Sequence, residues 1–299
     1  MPLSAKLASS LDRVAQVLPR PLRFSLRAAF DLALAQPRLL LVYQMGKVGS
    51  RSVAKSLKSA GLWPLHVHSL GGQTPAIRAD YRKRNAPYPY HMYLEGLLRG
   101  CLSLGLGRQR IKVVTLVRDP IAREISRAYQ LAEWDGGSTD DAAAMAARLA
   151  ERLSDPGALD DCYSWFDDEI KERLGVDVLA EDFDRARGYA RLAGERADVL
   201  VLKLEKLDAL WPVIGAFVGR EVVPKMVNVR SAAANGATYG RVRSTLSWPR
   251  DHVARLYDNP WVRHFYTADE VAGFIERWSA PAAHGPETLE AEQALRKSA

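Results

Sequence analysis

Four short apolar runs alternate with longer segments of helical periodicity, and this alternation limits the folds open to the chain more than any other feature. The apolar runs cover residues 38–43, 63–68, 111–117 and 199–204. The helical patterns cover residues 50–60, 120–131, 140–153, 164–174 and 182–192. Short runs of this kind are typical of strands buried on both faces. The order of strands and helices predicts an α/β fold with a mainly parallel central sheet flanked by helices, which binds ligands at the carboxyl ends of its strands.

The segment at residues 43–52 follows the first apolar run and leads into the first helical pattern. It contains Lys47 between Gly46 and Gly49. A buried strand, a glycine turn and a helix N-terminus direct several backbone N–H groups at one point, where the helix dipole and a lysine favour an anion. In the nucleotide-triphosphate loop the lysine follows the last glycine, and a Ser or Thr behind it holds Mg²⁺. The segment therefore predicts a phosphate site in a three-layer, P-loop-like fold, but with its lysine displaced.

A second anion motif comes directly after the third apolar run. Arg118 ends the run and Ser126 lies two turns into the following helical pattern. An arginine fork and a serine hydroxyl can grip a terminal phosphate. The alternative is that Arg118 pairs with Asp119, or Arg123 with Glu124, at the surface. Because the carboxyl ends of parallel strands share one edge of a sheet, we expect this motif and residues 46–52 to meet over one site.

The two motifs together resemble the sulfotransferases that use 3′-phosphoadenosine 5′-phosphosulfate. In that family a strand, loop and helix with Lys, Gly and Ser or Thr hold the 5′-phosphosulfate, and an Arg-Asp-Pro-x-x-Arg-x-x-Ser segment holds the 3′-phosphate. Arg118 and Ser126 match the second element with unchanged spacing. The usual Pro-Lys-x-Gly opening of the first element is replaced, which moves the resemblance away from the cytosolic small-molecule enzymes. The resemblance assigns to donor binding, in this first element, Gly46, Lys47, Val48, Gly49, Ser50, Arg51 and Ser52.

A narrower resemblance covers several blocks in the same order, and it is to the bacterial group named for capsular polysaccharide synthesis. These blocks cover residues 42–50, 66–68, 163–170 and 202–207. This resemblance implies a glycan acceptor. A later segment, residues 228–241, resembles the sulfotransferase loop that folds over the adenine and the 3′-phosphate, which makes Arg230 and Arg241 further candidates for donor binding.

Sulfuryl transfer also needs charge stabilisation on the leaving oxygen and a general base for the acceptor hydroxyl. Lys47 and the loop amides are suited to the first task. For the second, His66 and His68 lie two residues apart in the second apolar run, and therefore on one face of a strand. His68, nearer the end of the run, is the first candidate, whereas a structural, hydrogen-bonded role is favoured for His66. His91 and Glu205 are reserve candidates.

Between the second and third apolar runs, cations are interleaved with tyrosines. The cations are Arg78, Arg82, Lys83 and Arg84, and the tyrosines are Tyr81, Tyr88, Tyr90 and Tyr93. Aromatic faces with cations suit sugar rings that carry acidic groups. A solvated helix face explains the same pattern, and at least half of these residues are expected to belong to one.

Composition bears on the partner and the compartment. The net charge of +7 favours anionic partners, among them nucleotides, acidic glycans, membranes and nucleic acids. Two cysteines, Cys101 and Cys162, are too few for a disulfide framework or a structural zinc site, so a reducing cytoplasm is expected. No apolar stretch of about 18 residues predicts a membrane span, and the N-terminus lacks the hydrophobic centre of a secretory signal. Residues 1–36 predict basic amphipathic helices that either cover the domain or contact the inner face of a membrane.

The sequence thus divides into residues 1–36, a sulfotransferase-like α/β domain at residues 37–279 and a loosely held tail at residues 280–299. The main hypothesis is a sulfotransferase that releases adenosine 3′,5′-bisphosphate, needs no metal and modifies a hydroxyl of a saccharide or another metabolite. The enzyme alternative is a kinase-like phosphoryl transferase that uses ATP and Mg²⁺, and the position of Lys47 argues against it. A basic membrane- or nucleic-acid-binding module comes third, because the chain shows no aromatic and basic nucleic-acid motif.

Overall fold

A computed structural model of the protein describes residues 16–36, 38–71, 74–104, 110–134, 141–155, 157–225 and 246–279. Within these ranges, five strands form one sheet in the order β2-β1-β3-β5-β4. The strands are β1 Leu40–Tyr43, β2 Leu65–Val67, β3 Ile111–Val117, β4 Tyr189–Ala193 and β5 Ala197–Lys203. The pairing of β4 with β5 is antiparallel and the other pairings are parallel. The prediction of an α/β fold with a mainly parallel sheet and flanking helices is confirmed.

Helices flank the sheet and follow its strands. They are α1 Arg20–Ala35, α2 Ser50–Ser59, α3 Thr74–Lys83, α4 Tyr90–Ser103, α5 Pro120–Trp134, α6 Ala142–Ser154, α7 Asp160–Tyr163, α8 Glu172–Leu174, α9 Leu207–Val218, α10 Arg250–Tyr257, α11 Pro260–Phe265 and α12 Ala268–Trp278. A π-helical segment, Phe166–Lys171, joins α7 to α8. In the described part of the N-terminal segment, α1 begins after Pro19 and packs against α4. Among the described residues, no helix combines the length and apolar composition that crossing a membrane requires.

The direction of chain progression reverses between β1 and β3, the two strands at the centre of the site described below. From β1 the chain passes to β2 on one side, and it then crosses over to β3 on the other side. Neighbouring loops diverge at such a switch point and leave a crevice at the carboxyl ends of the strands. Buried side chains such as Val42, Val114 and Val201 hold the central strands rigid beneath that crevice. The loops after β1 and β3 therefore border the same opening.

The prediction of a helix over residues 182–192 is wrong, because strand β4 occupies the end of that segment. Ala, Arg and Leu are strong helix formers, but pairing from Tyr189↔Leu202 to Ala193↔Asp198 fixes an extended backbone. Gly188, with a φ of 80°, turns the chain into the strand. Alternate burial of Ala190 and Leu192 follows the period of two that a strand with one covered face requires. Tertiary pairing has overridden local propensity here.

Candidate functional site

The loop after β1 has the backbone geometry of an anion-binding nest. Lys47 and Gly49 both adopt left-handed conformations, with φ values of 72° and 87°. Alternation of this kind makes successive backbone N–H groups converge, and α2 begins directly afterwards at Ser50. A Cβ atom on Gly49 would lie 2.6 Å from Leu204 Cδ1. Glycine is therefore favoured at position 49 by its left-handed conformation, and a larger residue would also have to displace the Leu204 side chain.

Two arginines of the segment after β3 hold the carbonyl groups of this loop. Arg118 Nη1 donates to the carbonyl oxygen of Lys47 at 2.9 Å, and Arg123 Nε donates to that of Gly46 at 3.3 Å. In a planar peptide the C=O and the following N–H point in opposite directions. Holding these carbonyls on one side therefore turns the N–H groups of Lys47 and Val48 to the other side. The two predicted anion motifs are in direct contact.

Arg123 also anchors the base of the loop. It is buried, and its Nη2 lies 3.0 Å from Asp161 Oδ2. Beside it, Cys162 Sγ lies 3.6 Å from Met45 Sδ. Burial raises the pKa of Cys162 to about 12, so the thiol stays protonated at neutral pH. Arg123 was not selected as a site residue from the sequence, although it occupies the second arginine position of the motif.

Asp119 does not pair with Arg118, because both of its carboxylate oxygens are engaged elsewhere. Oδ1 accepts from backbone N–H groups in the first turn of α5 at 3.0 and 3.3 Å and from Tyr257 at 2.5 Å. Oδ2 accepts from Trp278 Nε1 at 2.9 Å. The surface pairing of Arg118 with Asp119 is thus not formed. Arg123 Nη1 does lie 3.8 Å from Glu124 Oε2, but both side chains are buried. Arg118, half-buried, is directed at the loop after β1 instead.

Glu205, a reserve candidate for the general base, is committed to the backbone. Its Oε1 accepts from the N–H of Asp119 at 2.7 Å, and its Oε2 lies 3.3 Å from the hydroxyl of Tyr266. Burial raises the pKa of Glu205, and the Asp119 hydrogen bond opposes that rise. The carboxyl group therefore fixes the position of the second anion motif.

The predicted serines flank the nest on both sides. Ser50 and Ser52 are buried in the first turn of α2, and Arg51, which lies between them, is exposed. Ser126 is buried on α5. Within the described part of the chain, the Ser126 side chain donates no hydrogen bond, so its hydroxyl is available to a ligand. Arg230 and Arg241 lie outside the described residues.

Three histidines form an edge-to-face cluster, the histidine cluster, beside the nest. The ring of His68 lies 4.6 Å from that of His66 and 5.2 Å from that of His91, centroid to centroid. His68 Nδ1 lies 3.0 Å from the carbonyl oxygen of Gln44. A carbonyl oxygen only accepts, so Nδ1 carries the proton, and the neutral ring keeps its lone pair on Nε2.

All three rings are neutral at pH 7. Burial lowers the pKa of His68, the charges of Arg51 and Lys47 lower it further, and the hydrogen bond to the backbone opposes them. Burial, together with the neighbouring histidines, lowers the pKa of His66 to about 2 and that of His91 to about 3. The influence of Lys47 on His68 shows that the end of β2 faces the loop after β1.

Glu95, on α4, accepts hydrogen bonds from the start of the turn that follows β2. Its Oε1 accepts from the N–H of His68 at 2.7 Å and from that of Ser69 at 3.3 Å. Trp165 Nε1 donates to the carbonyl of His68 at 3.2 Å. Both backbone polar groups of His68 are therefore fixed by side chains from other elements.

Glu169, on the π-helical segment, accepts hydrogen bonds from the rest of the same turn. Its Oε2 accepts from the N–H groups of Leu70 and Gly71, each at 2.6 Å, and from the hydroxyl of Tyr43 at 2.5 Å. A Cβ atom on Gly71 would lie 2.1 Å from the carbonyl oxygen of Asp168, so only glycine fits this close approach. π-helical segments are frequent at functional sites.

Sequence reasoning missed both carboxylates and the tyrosine. Glu95 stands in an apolar stretch between Leu94 and Leu98, and a lone acid inside an apolar stretch of a helix is a signal for a buried, hydrogen-bonded carboxylate. Glu169 gives no such signal, because it directly follows Asp167 and Asp168. Nothing in the sequence, however, indicates that both acids would accept from one turn.

Gln44, the last residue before the loop, is fully buried, and neither its Nε2 nor its Oε1 has a hydrogen-bond partner among the described residues. A buried amide without partners is costly and calls for an explanation. Gln44 directly precedes the nest in the chain, which is consistent with a partner that arrives with a ligand.

Comparisons with known proteins give a partial match. No curated protein and no solved structure matches the chain. One family model matches residues 152–240. This stretch contains Cys162, which lies below the loop after β1, and Trp165 and Glu169, which lie beside the turn after β2. Over these residues the chain is similar to the family described as "Putative capsular polysaccharide synthesis protein".

Proposed function

We propose that the protein is a sulfotransferase with a P-loop-like fold, which moves the sulfuryl group of 3′-phosphoadenosine 5′-phosphosulfate to a hydroxyl group. The observation that carries this proposal is the contact of Arg118 with the Lys47 carbonyl at a topological switch point. Two anion-binding elements meet there, as a donor with anionic groups at both ends of its ribose requires. The free thiols Cys101 and Cys162 favour a reducing, cytoplasmic setting.

The residues present fit this donor. The N–H groups of the nest, with Lys47, Ser50 and Ser52, would hold the 5′-phosphosulfate. Arg118 and the available hydroxyl of Ser126 would hold the 3′-phosphate. The unpartnered amide of Gln44 supplies both a donor and an acceptor for a polar group entering the nest. When bound, the donor supplies the activated sulfuryl group.

Two residues act on charge and protons in this proposal. His68 offers its Nε2 lone pair to the acceptor hydroxyl, because its Nδ1 proton is held by the Gln44 carbonyl. Lys47 stabilises the negative charge that develops on the leaving phosphate oxygen. His66 packs against the ring of His68 and is given a positioning role.

A saccharide is the preferred acceptor class. The similarity of residues 152–240 to a family named for capsular polysaccharide synthesis supports a role in making a glycan. The competing function is phosphoryl transfer from ATP with Mg²⁺. It is less favoured because Lys47 precedes Gly49, so the Lys-Ser/Thr pair that places Mg²⁺ in nucleotide-triphosphate loops does not occur there.

Calorimetry with adenosine 3′,5′-bisphosphate, and separately with ATP and Mg²⁺, tests the donor. We expect the bisphosphate to bind, and Arg118→Ala to weaken that binding at least tenfold, because a charge-assisted hydrogen bond contributes about 1.5–3 kcal/mol. Arg148→Ala, an exposed arginine on α6, serves as the matched control and leaves affinity unchanged. Binding of ATP with Mg²⁺ alone would assign phosphoryl transfer instead.

A transfer assay with radiolabelled donor tests the general base. His68→Gln should lower kcat by about 10²–10⁴-fold, the range that general-base catalysis supplies. His66→Gln, which leaves the His68 hydrogen bond to Gln44 in place, should change kcat only a fewfold. Activity of His68→Gln within a fewfold of the wild type would move the base elsewhere.

A further inference from the structure

A cavity of about 280 Å³ lies between α4, α8 and the residue that precedes β5, and arginines dominate its walls. Arg99 comes from α4, Arg173 from α8, and Arg196 from the end of the β4–β5 connection. Leu70, which Glu169 holds through its N–H, also lines it. The cavity therefore borders the turn that carries His68.

The positive charge of this cavity is incompletely neutralised. Arg99 forms no hydrogen bond or ion pair with any described residue, and Glu172, the acid in the wall, pairs with Arg173 at 3.0 Å. The Nε atoms of Arg173 and of the neighbouring Arg78 are buried and, within the described ranges, lack hydrogen-bond partners.

The arginines also repel one another. Burial lowers the pKa of Arg99, and the charges of Arg78 and Arg173 lower it further. The charges of Glu95 and Glu169 act in the opposite direction and raise it. Guanidinium groups that face one another around an open space, with unused N–H donors, are arranged for an oxyanion, to which an arginine fork gives paired hydrogen bonds.

One face of α4 relates this cavity to the histidine cluster. His91, Glu95 and Arg99 follow one another at intervals of four residues, so they lie on the same face of the helix. The rise from His91 to Arg99 is about 12 Å at 1.5 Å per residue. His91 touches the ring of His68, and Glu95 is buried under the His68 backbone that it holds. An extended ligand that passes over the turn after β2 would reach both ends.

We propose that the arginine cavity, defined by Arg99, Arg173 and Arg196, binds an acidic group of the acceptor, a carboxylate, phosphate or sulfate on a saccharide, while a hydroxyl further along the chain reaches His68. The assignment to an acceptor rests on the proposed function. Anion binding itself rests on the cavity. The same chemistry would also attract free inorganic phosphate or sulfate, so the test separates the two sources.

The test uses calorimetry on the full chain with tetragalacturonate, an acidic oligosaccharide, with maltotetraose as its neutral counterpart, and with inorganic sulfate. The variants are Arg99→Gln and Arg173→Gln. The control is Arg148→Gln, which removes one charge from α6, a helix that packs against α5. Binding of adenosine 3′,5′-bisphosphate is measured on every variant, so that a failure of the donor site is seen separately.

We expect tetragalacturonate to bind the wild type at least tenfold more tightly than sulfate does. Each cavity variant should lose at least tenfold of that affinity and should bind the bisphosphate normally. Arg148→Gln should match the wild type within twofold, and maltotetraose should not distinguish the variants. Arg99→Gln should also melt at the same or a higher temperature, because it relieves repulsion.

Three results would overturn the proposal. The first is an unchanged affinity for tetragalacturonate in both cavity variants. The second is an equal loss of tetragalacturonate affinity in Arg148→Gln, which would show that the affinity depends only on the net charge of the protein. The third is sulfate binding as tight as that of the oligosaccharide, which would leave a free oxyanion site instead of an acceptor site.

Discussion

At the scale of single residues, the conformation of Lys47 is the most informative detail. Its φ of 72° is left-handed, which costs a residue with a Cβ atom about 1–2 kcal/mol. Glycine would adopt this conformation without that cost. Strain of this kind concentrates at functional sites, where the side chain is needed in spite of it. At position 47 the residue that is kept is a lysine within the loop that forms the nest.

A pair of substitutions at position 47 separates the effect of backbone strain from the effect of the lysine ammonium group. Lys47→Ala keeps the strained Cβ and removes the ammonium, whereas Lys47→Gly removes both. We expect Lys47→Gly to be more stable than Lys47→Ala by about 1 kcal/mol in urea unfolding. Under the proposed function both should lose sulfuryl transfer, because neither would stabilise the leaving oxygen. Full turnover by either variant would remove Lys47 from the mechanism.

The sequence exposes some site residues and hides others for a physical reason. Lys47, His68 and Arg118 come at the ends of apolar runs, where the topology of an α/β sheet concentrates ligand contacts. Glu95 and Glu169 act by accepting hydrogen bonds from a turn on another element. Such partnerships depend on how helices pack against the sheet, and no local pattern encodes them.

At the scale of elements, the turn after β2 is held by carboxyl groups from α4 and from the π-helical segment. Glu95 is buried, and burial, with the nearby charge of Glu169, raises its pKa to about 8 from an ordinary value of 4.5. Between these two values the Glu95 carboxyl therefore binds more protons in the folded protein than in the unfolded chain. The contribution of Glu95 to stability falls as pH rises through that window.

The histidines oppose this trend. Their lowered pKa values mean that stability rises with pH while the histidines of the unfolded chain lose their protons around pH 6.5, and this rise fades above about pH 7.5. The difference between the wild type and a Glu95 variant isolates Glu95, because the histidines contribute equally to both. We expect the wild type to lose up to about 1.4 kcal/mol per pH unit relative to that variant.

Glu95→Gln, which keeps an Oε1 acceptor for the turn, should flatten this dependence. Urea unfolding followed by tryptophan fluorescence at pH 6.5, 7.25 and 8 measures both slopes. Parallel slopes in the wild type and the variant would show that Glu95 is ionised across the whole range.

The strands show what periodicity can and cannot predict. The sequence pattern predicts β3 at residues 111–117, as the structure has it, because a strand buried on both faces is continuously apolar. It misses β4, an edge strand of five residues whose helix-forming composition is overridden by pairing with β5. Gly188 and Gly194 stand on either side of residues 189–193, and glycines at both ends of a short alternating segment indicate a strand.

At the scale of the whole molecule, Asp119 links distant parts of the chain. It follows the central strand β3, and it accepts hydrogen bonds from Tyr257 on α10 and from Trp278 at the end of α12. The second anion motif is therefore supported by the last described helix. Loss of that support should affect donor binding as well as stability.

Trp278→Phe tests this link, since it removes the indole N–H and keeps an aromatic ring. It leaves a buried carboxylate short of one donor, so we expect a loss of about 1.5–3 kcal/mol in unfolding free energy, together with weaker binding of adenosine 3′,5′-bisphosphate. Trp211→Phe is the matched control, because its indole N–H is buried without a partner among the described residues. An equal effect of both substitutions would reduce the role of Trp278 to packing.

The contact between Asp119 and Trp278 also sets an order of events during synthesis. Chains emerge from the ribosome at about 5–20 residues per second, N-terminal end first. The loop after β1 and the segment after β3 emerge early, but the partner that fixes Asp119 lies 159 positions later. The nascent chain therefore cannot complete the hydrogen bonds of Asp119 until α12 has emerged, so the candidate site is finished only late in synthesis.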